Sequence, residues 1–285
     1  MPANTRDLIK RRKGVQNTKK ITHTMELIST AKLKKIADQL LASQPYSFAL
    51  VQLVRQLLGA GVTLELAKEP AQTQKVALLV ISSNRGLCGA YNSKLVEVAK
   101  DFIHKHQEQG INVQTHVVGK KAISMLSYRQ IKIDHPIVDI DDKTPFSVYR
   151  KMAQNFMEKF YQGELHKVHV AYTSFLSIGR QELRIEQLLP LELSQEKSHE
   201  ESEFLFEPSA HAVLSSIAPL AVQVNLYRMF MEAQASEQAY RMRAMKNATD
   251  NASAMIKELT RQYNRARQTK ITMELLDLLG GAEAL

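Results

Sequence analysis

The stretch Leu220–Leu279 reads LAVQVNLYRMFMEAQASEQAYRMRAMKNATDNASAMIKELTRQYNRARQTKITMELLDLL, sixty residues without a Gly or a Pro. As one helix it spans roughly 90 Å at 1.5 Å per residue. Its apolar positions Val224, Tyr227, Met231, Met242, Met245, Ala252, Ile256, Leu259, Tyr263, Ala266 and Met273 are separated mostly by steps of three, four or seven, the heptad-like seam of a coiled coil. Gln234, Gln238 and Thr249 fall on the same stripe. Small and polar seam residues allow close approach but bury less than a leucine zipper. A helix well beyond roughly 25 residues needs another long helix or a partner to pack on.

The other end of the chain supplies a candidate. From Ala3 to Gln44 there is no Pro and a single Gly, Gly14. Ile21, Met25, Ile28, Ile36 and Leu40 recur at helical spacing, and Asn4 or Thr5 could cap the start. Pro45 is expected to kink the helix or mark a short break. The pattern resumes at Leu50, Val51, Val54, Leu57 and Leu58 and stops at Gly59-Ala60-Gly61.

The middle has a different grammar. Strands are expected over 75–82, 111–118 and 167–175, with edge strands over 182–191 and 203–206. Helices are expected over 91–109, 120–126 and 147–161. Strands alternating with helices predict a small α/β domain on a largely parallel sheet. The stretch 191–202 is polar. The organisation expected is an N-terminal helix over 1–60, a central domain over 61–208 and a C-terminal helix over 209–285.

Charge divides the chain. Residues 1–60 hold eleven Lys/Arg against three acids, a net of +8, and residues 191–207 hold six acids against one Lys, a net of −5. The basic end calls for an acidic partner. Nucleic acid is one such partner, but residues 1–45 contain no Phe, Tyr or Trp to stack on a base. No run approaches the roughly 20 apolar residues that span a bilayer, so no direct membrane span is expected. One cysteine, Cys88, allows no intrachain disulfide.

Candidate chemistry is thin. The loop Ser82-Ser83-Asn84-Arg85-Gly86-Leu87-Cys88-Gly89-Ala90 follows a buried strand and precedes a helix, the place where α/β folds bind phosphates. It matches neither G-x-x-x-x-G-K-[ST] nor G-x-G-x-x-G, and the structural-turn reading is favoured. Gly119-Lys120-Lys121 lacks the same spacing. His104/His106 and His166/His169 are the close histidine pairs. No acidic or Cys cluster completes a zinc set, and surface histidines are expected. No catalytic residue, cofactor site or metal site is assigned. On the residues alone, a basic helical nucleic-acid-binding protein and a nucleotide-binding enzyme using the 82–90 loop both stay open beside a mechanical helical part.

Three motifs in order narrow this. They are Val15-Gln16-Asn17-Thr18-Lys19-Lys20-Ile21-Thr22 with Met25-Glu26 and Ala42-Ser43-Gln44-Pro45-Tyr46; Asn84-Arg85-Gly86-Leu87-Cys88-Gly89; and Ala235-Ser236-Glu237-Gln238 with Arg241–Ala252, Tyr263–Gln268 and Ile271–Leu275. On them the chain resembles, over nearly its whole length, the gamma subunit of F-type (rotary) ATP synthases of the bacterial type.

The resemblance implies an α/β fold class: a long antiparallel, left-handed coiled coil of the N- and C-terminal helices plus a central Rossmann-like α/β domain. It implies a non-catalytic central-stalk subunit, a rotor shaft that couples rotation of the membrane ring to ATP synthesis or hydrolysis elsewhere. The partners implied are the alpha and beta subunits of the catalytic ring, the epsilon subunit and the membrane c-ring, with no nucleic acid and no cofactor. The location implied is the cytoplasmic face of the bacterial inner membrane. Contacts to the catalytic ring are implied for Lys19, Lys20, Met25, Arg241, Lys246, Arg267, Gln268, Thr272 and Glu274, and contacts to the membrane ring for Phe204 and Glu207. The end Ile271–Leu285, with Leu275, Leu276, Leu278 and Leu279 around Met273, is expected to seat in an apolar bearing.

Overall fold

The computed structural model describes residues 5–59, 64–68, 70, 73–191, 207 and 209–283. In chain order the elements are α1 (Thr5–Gly59), a 3-10 turn (Glu65–Ala67), β1 (Lys75–Ile81), α2 (Tyr91–Glu108), β2 (Asn112–Val118), α3 (Lys120–Tyr128), β3 (His135–Ile137), α4 (Phe146–Tyr161), β4 (Lys167–Phe175), β5 (Gln181–Leu189) and α5 (Ala210–Glu283). By packing, the chain forms two compact units. One is Met1–Thr30 with Arg241–Leu285, and the other is Ala31–Tyr240. The helices α1 and α5 contribute to both.

In the first unit the two helices run antiparallel: Thr22 meets Thr249, and the Arg12 guanidinium lies 5.5 Å from the centre of the Tyr263 ring. The covered positions of α1 are Thr5, Leu8, Arg12, Val15, Lys19, Thr22, Glu26 and Ser29, an unbroken three–four alternation. The facing positions of α5 are Met245, Thr249, Ala252, Ile256, Leu259, Tyr263 and Ala266, with the same alternation. A repeat of 3.5 residues imposes a left-handed supercoil. The α5 seam follows the expected stripe, apart from Met273, which is exposed.

The α1 seam does not follow the expected stripe. Ile21, Met25 and Ile28 are 58%, 36% and 52% exposed, while their neighbours Thr22 and Ser29 are buried. The step of eight from Ile28 to Ile36 is where the apolar stripe crosses from the outer face to the inner one. Apolar spacing identifies a face but not its occupant. Here the face carrying Thr22 and Ser29 turns inward, where Thr22 meets Thr249 across the seam and Ser29 donates to the Met25 carbonyl.

In the second unit the alternation continues along α1 through Leu33, Ile36, Leu40, Ser43, Ser47, Leu50, Val54 and Leu57. The expected break at Pro45 is absent; α1 is helical on both sides of it. Pro45 removes the bond to the Leu41 carbonyl, at a cost of about 3 kcal/mol in an ordinary helix. Ser43 and Ser47 donate to the Leu40 and Ser43 carbonyls beside it. Burial of Ile36 on one side and of Leu50, Val54 and Leu57 on the other carries the helix through, at about 2 kcal/mol per fully buried Leu or Val. Pro219 is likewise accommodated inside α5, which begins ten residues earlier than the Gly- and Pro-free run. Its start is capped by Ser209 Oγ, which accepts from the Ala212 amide.

The five-stranded sheet has the order β3-β2-β1-β4-β5, with β5 alone antiparallel. β1 is buried along Val76–Ile81, as a central parallel strand covered on both faces must be. One face packs on α2 and α3 through Leu78, Val80, Leu95, Val96 and Ala99; the other packs on α4, α1 and α5 through Leu79, Phe156, Leu57, Leu226 and Phe230. β3 is three residues long, too short to leave a period. The expected strand over 203–206 lies outside the described residues. From Ala221 to Ala239, α5 is covered on nearly every side, so the stripe Val224, Tyr227, Met231 understates its burial.

Of the histidines expected at the surface, His116 is buried and His169 is half-buried. His116 on β2 stacks on His135 with ring centroids 4.4 Å apart, and His169 on β4 lies 5.1 Å from Phe102. Alternation along a strand turns every second residue inward whatever its polarity. Burial, the largest cause in each, pushes His116 down to about 3 and His169 down to about 4. The unfolded chain, with ordinary histidines near 6.5, therefore binds more protons than the folded one below that pH. Stability should fall as pH drops from 6.5 towards 4, by on the order of 3 kcal/mol for His169 alone at about 1.4 kcal/mol per pKa unit. His169→Gln should flatten the slope; urea unfolding that is pH-independent between 6.5 and 4.5 in the unsubstituted chain would refute this.

Candidate functional site

The edge of the sheet where an α/β protein would hold a phosphate is filled by the protein itself. Ser82 Oγ donates to the Val118 carbonyl at 2.7 Å and accepts from the Ala122 amide at 3.2 Å. The Asn84 side chain accepts from the Lys120 amide and donates to the Ile140 carbonyl, and the Ser83 carbonyl accepts from the Lys121 amide. The first three amides of α3 are thus all taken, and they are the donors that an anion would need. At α2 the opening residues Tyr91 and Asn92 are buried. The Tyr91 hydroxyl donates to the Ala233 carbonyl of α5, and Asn92 bonds Ser83 through both ends of its amide. Gly119 makes this closure possible. Its φ is +97° and a Cβ there would sit 2.5 Å from the Ser82 carbonyl oxygen, so only Gly fits. The loop 82–90 is a latch between β1, α2 and α3. Cys88 is buried within it, with the Asn92 Nδ2 at 3.1 Å. Among the described residues no group of three His, Cys, Asp or Glu side chains could hold a metal.

The remaining candidate surface is that of the helical pair. Two buried hydroxyls, Thr22 and Thr249, meet at 2.8 Å across the seam. Each also lies within bonding distance of a carbonyl of its own helix, Lys19 and Met245. Around this contact the structure brings Lys19 (half-buried on the seam), exposed Lys20, Met25 and exposed Lys246 to one level, with half-buried Arg241 about 12 Å away along α5. Arg267, Gln268, Thr272 and Glu274 form a second, separate group beyond the last covered seam residue, Ala266, and all four are exposed. Thr272 Oγ1 donates to the Gln268 carbonyl, and Glu274 pairs with Lys270 at 3.4 Å. Ile271, Met273, Leu275 and Leu276 stand exposed on the same segment. Glu207 is exposed; Phe204 lies outside the described residues, as do the side chains of Leu278 and Leu279.

Two features of the second unit escaped the sequence reading. One is an apolar groove of about 850 Å³ between α1, the β4–β5 hairpin and α5, lined by Leu40, Leu41, Phe48, Val51, Leu176, Ile178 and Val224, with Arg228 among its lining residues. A second apolar stripe on α1, at Leu41, Phe48 and Val51, was the signal for it. The other is an ionic network around Arg228. Its guanidinium donates to Glu186 at 2.9 Å, to Glu232, and to Asn225 at 3.1 Å; Tyr172 donates to Glu186 at 2.8 Å and Ser174 to Glu232 at 2.6 Å. Burial would lower the pKa of Arg228. The phenol of Tyr172 and the carboxylates of Glu232 and Glu186 outweigh it and hold the guanidinium charged. No local periodicity reports such a cluster, because its members are far apart in sequence.

These features define a class: a pair of long helices with a polar seam, joined to a parallel-sheet domain whose ligand edge is closed. The family model described as ATP synthase matches residues 4–285. The ATP synthase gamma chain of Rhodopirellula baltica is 37% identical over 293 residues, covering 99% of both chains, and that of Leptospira biflexa is 38% identical over 287 residues, also 99% of both. The fold is similar to the rotor of the Euglena gracilis mitochondrial ATP synthase (TM-score 0.65, 16% identity, 94% of this chain and 98% of that one). It is also similar to a chain of the Tetrahymena thermophila central stalk and c-ring (TM-score 0.61, 23% identity, 80% and 99%). The chain belongs to the ATP synthase gamma chain family.

The hydroxyl contact is testable by itself. Thr22→Val and Thr249→Val should each cost about 1 kcal/mol, because each leaves a buried hydroxyl short of one partner. The double substitution should cost less than the sum by about 0.5 kcal/mol or more. Strict additivity in urea unfolding would exclude a direct Thr22–Thr249 interaction.

Proposed function

We propose that the chain is the central rotor shaft of an ATP synthase, carrying rotation between a membrane ring and a catalytic ring without a catalytic site of its own. The observation that carries this reading is apolar surface left on an otherwise finished helical pair. Ile21, Met25 and Ile28 of α1 are exposed although the seam beside them is filled by other residues, and Ile271, Met273, Leu275 and Leu276 of α5 are exposed beyond the last covered seam residue. Such surface on a soluble chain marks a partner. A sheath around the pair would cover it, and family membership supplies the kind of sheath: the alpha and beta subunits.

On this reading Lys19, Lys20, Met25, Arg241 and Lys246 contact the catalytic ring at one level. Arg267, Gln268, Thr272 and Glu274 contact it higher up, and the tip beyond Ala266 sits in an apolar bearing. Phe204 and Glu207 contact the membrane c-ring, and an epsilon subunit accompanies the chain. The basic character of α1 gives a weak, screened attraction to acidic segments of the ring. Weak contacts suit a surface that has to slide. Among the described residues no helix is long and apolar enough to cross a membrane, so attachment there runs through other subunits. The helical pair then works as a shaft: stiff along its length, held by small residues at the seam, and asymmetric in section. Each turn presents a different face to each catalytic subunit.

Met25→Lys puts a charge on the outward apolar face and should lower ATP-driven proton pumping while the complex still assembles; unchanged pumping would remove Met25 from the contact. Removing residues 281–285 should be tolerated better than Met245→Pro, which breaks α5 at a buried seam position for about 3 kcal/mol or more. Equal activity of the two assembled complexes would rule out a stiff shaft.

A further inference from the structure

A helix held only by apolar packing resists being pulled off its neighbour but resists rotation about its own axis poorly, because hydrophobic contact has no direction. Between Ala221 and Ala239, α5 is covered on nearly all sides by apolar residues. Besides the Tyr91 hydroxyl on the Ala233 carbonyl, two sets of side-chain polar contacts reach it from different sides. On one side, Arg228 and Glu232 meet Glu186 of β5 and Tyr172 and Ser174 of β4. On the other, Gln234 Nε2 lies 3.3 Å from the Asp141 carbonyl and 3.4 Å from the Tyr149 hydroxyl. At 100° per residue, Gln234 lies about 160° from Glu232 and about 120° from Arg228 around the helix.

We propose that Arg228 is the positioning residue that fixes the rotational register of α5 against the sheet, so that torque applied to the sheet domain enters the shaft through the Arg228–Glu186–Glu232 network. The planar guanidinium suits this. It reaches Glu186 with one Nη, Glu232 with the other, and Asn225 with Nε, a fixed fork that a rotating helix cannot preserve. Tyr172 and Ser174 hold the two carboxylates from the sheet side. The network therefore spans helix and both hairpin strands instead of closing within α5. Paired charges that are partly buried, as these are, add little net stability, and the best-attested use of such pairs is to select one arrangement among several of similar energy. The torque clause rests on the rotor reading; the register clause does not.

The test uses Arg228→Met combined with Glu186→Gln and Glu232→Gln, which removes every charge of the trio and leaves none unpaired. In the isolated full chain, spin labels at Ser216→Cys on α5 and Ile178→Cys on the hairpin report the register; Cys88 is buried. The expected result is a broader distance distribution with an unchanged or raised thermal midpoint. An equally narrow distribution in the variant overturns the register clause. In the assembled complex, the variant should hydrolyse ATP with fewer protons pumped per ATP than the unsubstituted chain. A broadened distribution with full pumping overturns the torque clause. Failure of the unsubstituted chain to support pumping overturns the rotor reading, and the torque clause with it, while the label distances still decide the register.

Discussion

One unbroken helix has to live in three environments, and most of the structure follows from that. From Ala221 to Ala239, α5 is surrounded by protein. From Met245 to Ala266 it is covered along one seam, and beyond Ala266 its described side chains are exposed. Its composition tracks the change. Leu226, Met229, Phe230 and Ala233 fill a core; Met245, Thr249, Ala252 and Leu259 fill a seam; Arg267, Gln268, Thr272 and Glu274 face outward. A single helix thus serves as an anchor, a shaft and a tip.

The seam shows how small residues can be more useful than large ones. Thr22, Ser29, Thr249 and Ala252 are covered at the seam, while the larger apolar residues Ile21, Met25 and Ile28 stay exposed. The hydroxyls are not orphaned, since each has a backbone carbonyl or another hydroxyl within reach. In the sheet domain the same economy applies. A strand–loop–helix edge that could bind phosphate instead turns its own Ser82, Ser83 and Asn84 onto the amides of α3. These bonds tie the loop after β1 to β2 and α3, which suits a torque-bearing part.

Much of this was legible in the residues. Strand β4 over 167–175, helix α2 from Tyr91, and the α5 seam from Met245 to Ala266 are where hydrophobic spacing puts them, because each has one fixed period and one face to bury. The structural role of the 82–90 loop was legible from its failure to match a phosphate-binding spacing. The α1 seam was not legible. Two stripes interleave on that helix, and apolarity picks the one that faces outward. The continuity through Pro45 was hidden for a related reason, since burial on both sides outweighs a local penalty. The inward histidines and the Arg228 network depend on partners tens of residues away.

The sequence by itself determined that two long helices frame an α/β domain and that the 82–90 loop has neither phosphate-binding spacing. Those properties are written in local period, composition and motif spacing. Only the tertiary structure decided which face of α1 meets α5, that the ends of α2 and α3 are capped by the loop 82–90, and that α5 is tied to the sheet through Arg228. Each of these is a choice between surfaces of similar local merit. It is settled by what can approach closely and by which polar groups find partners once water is gone.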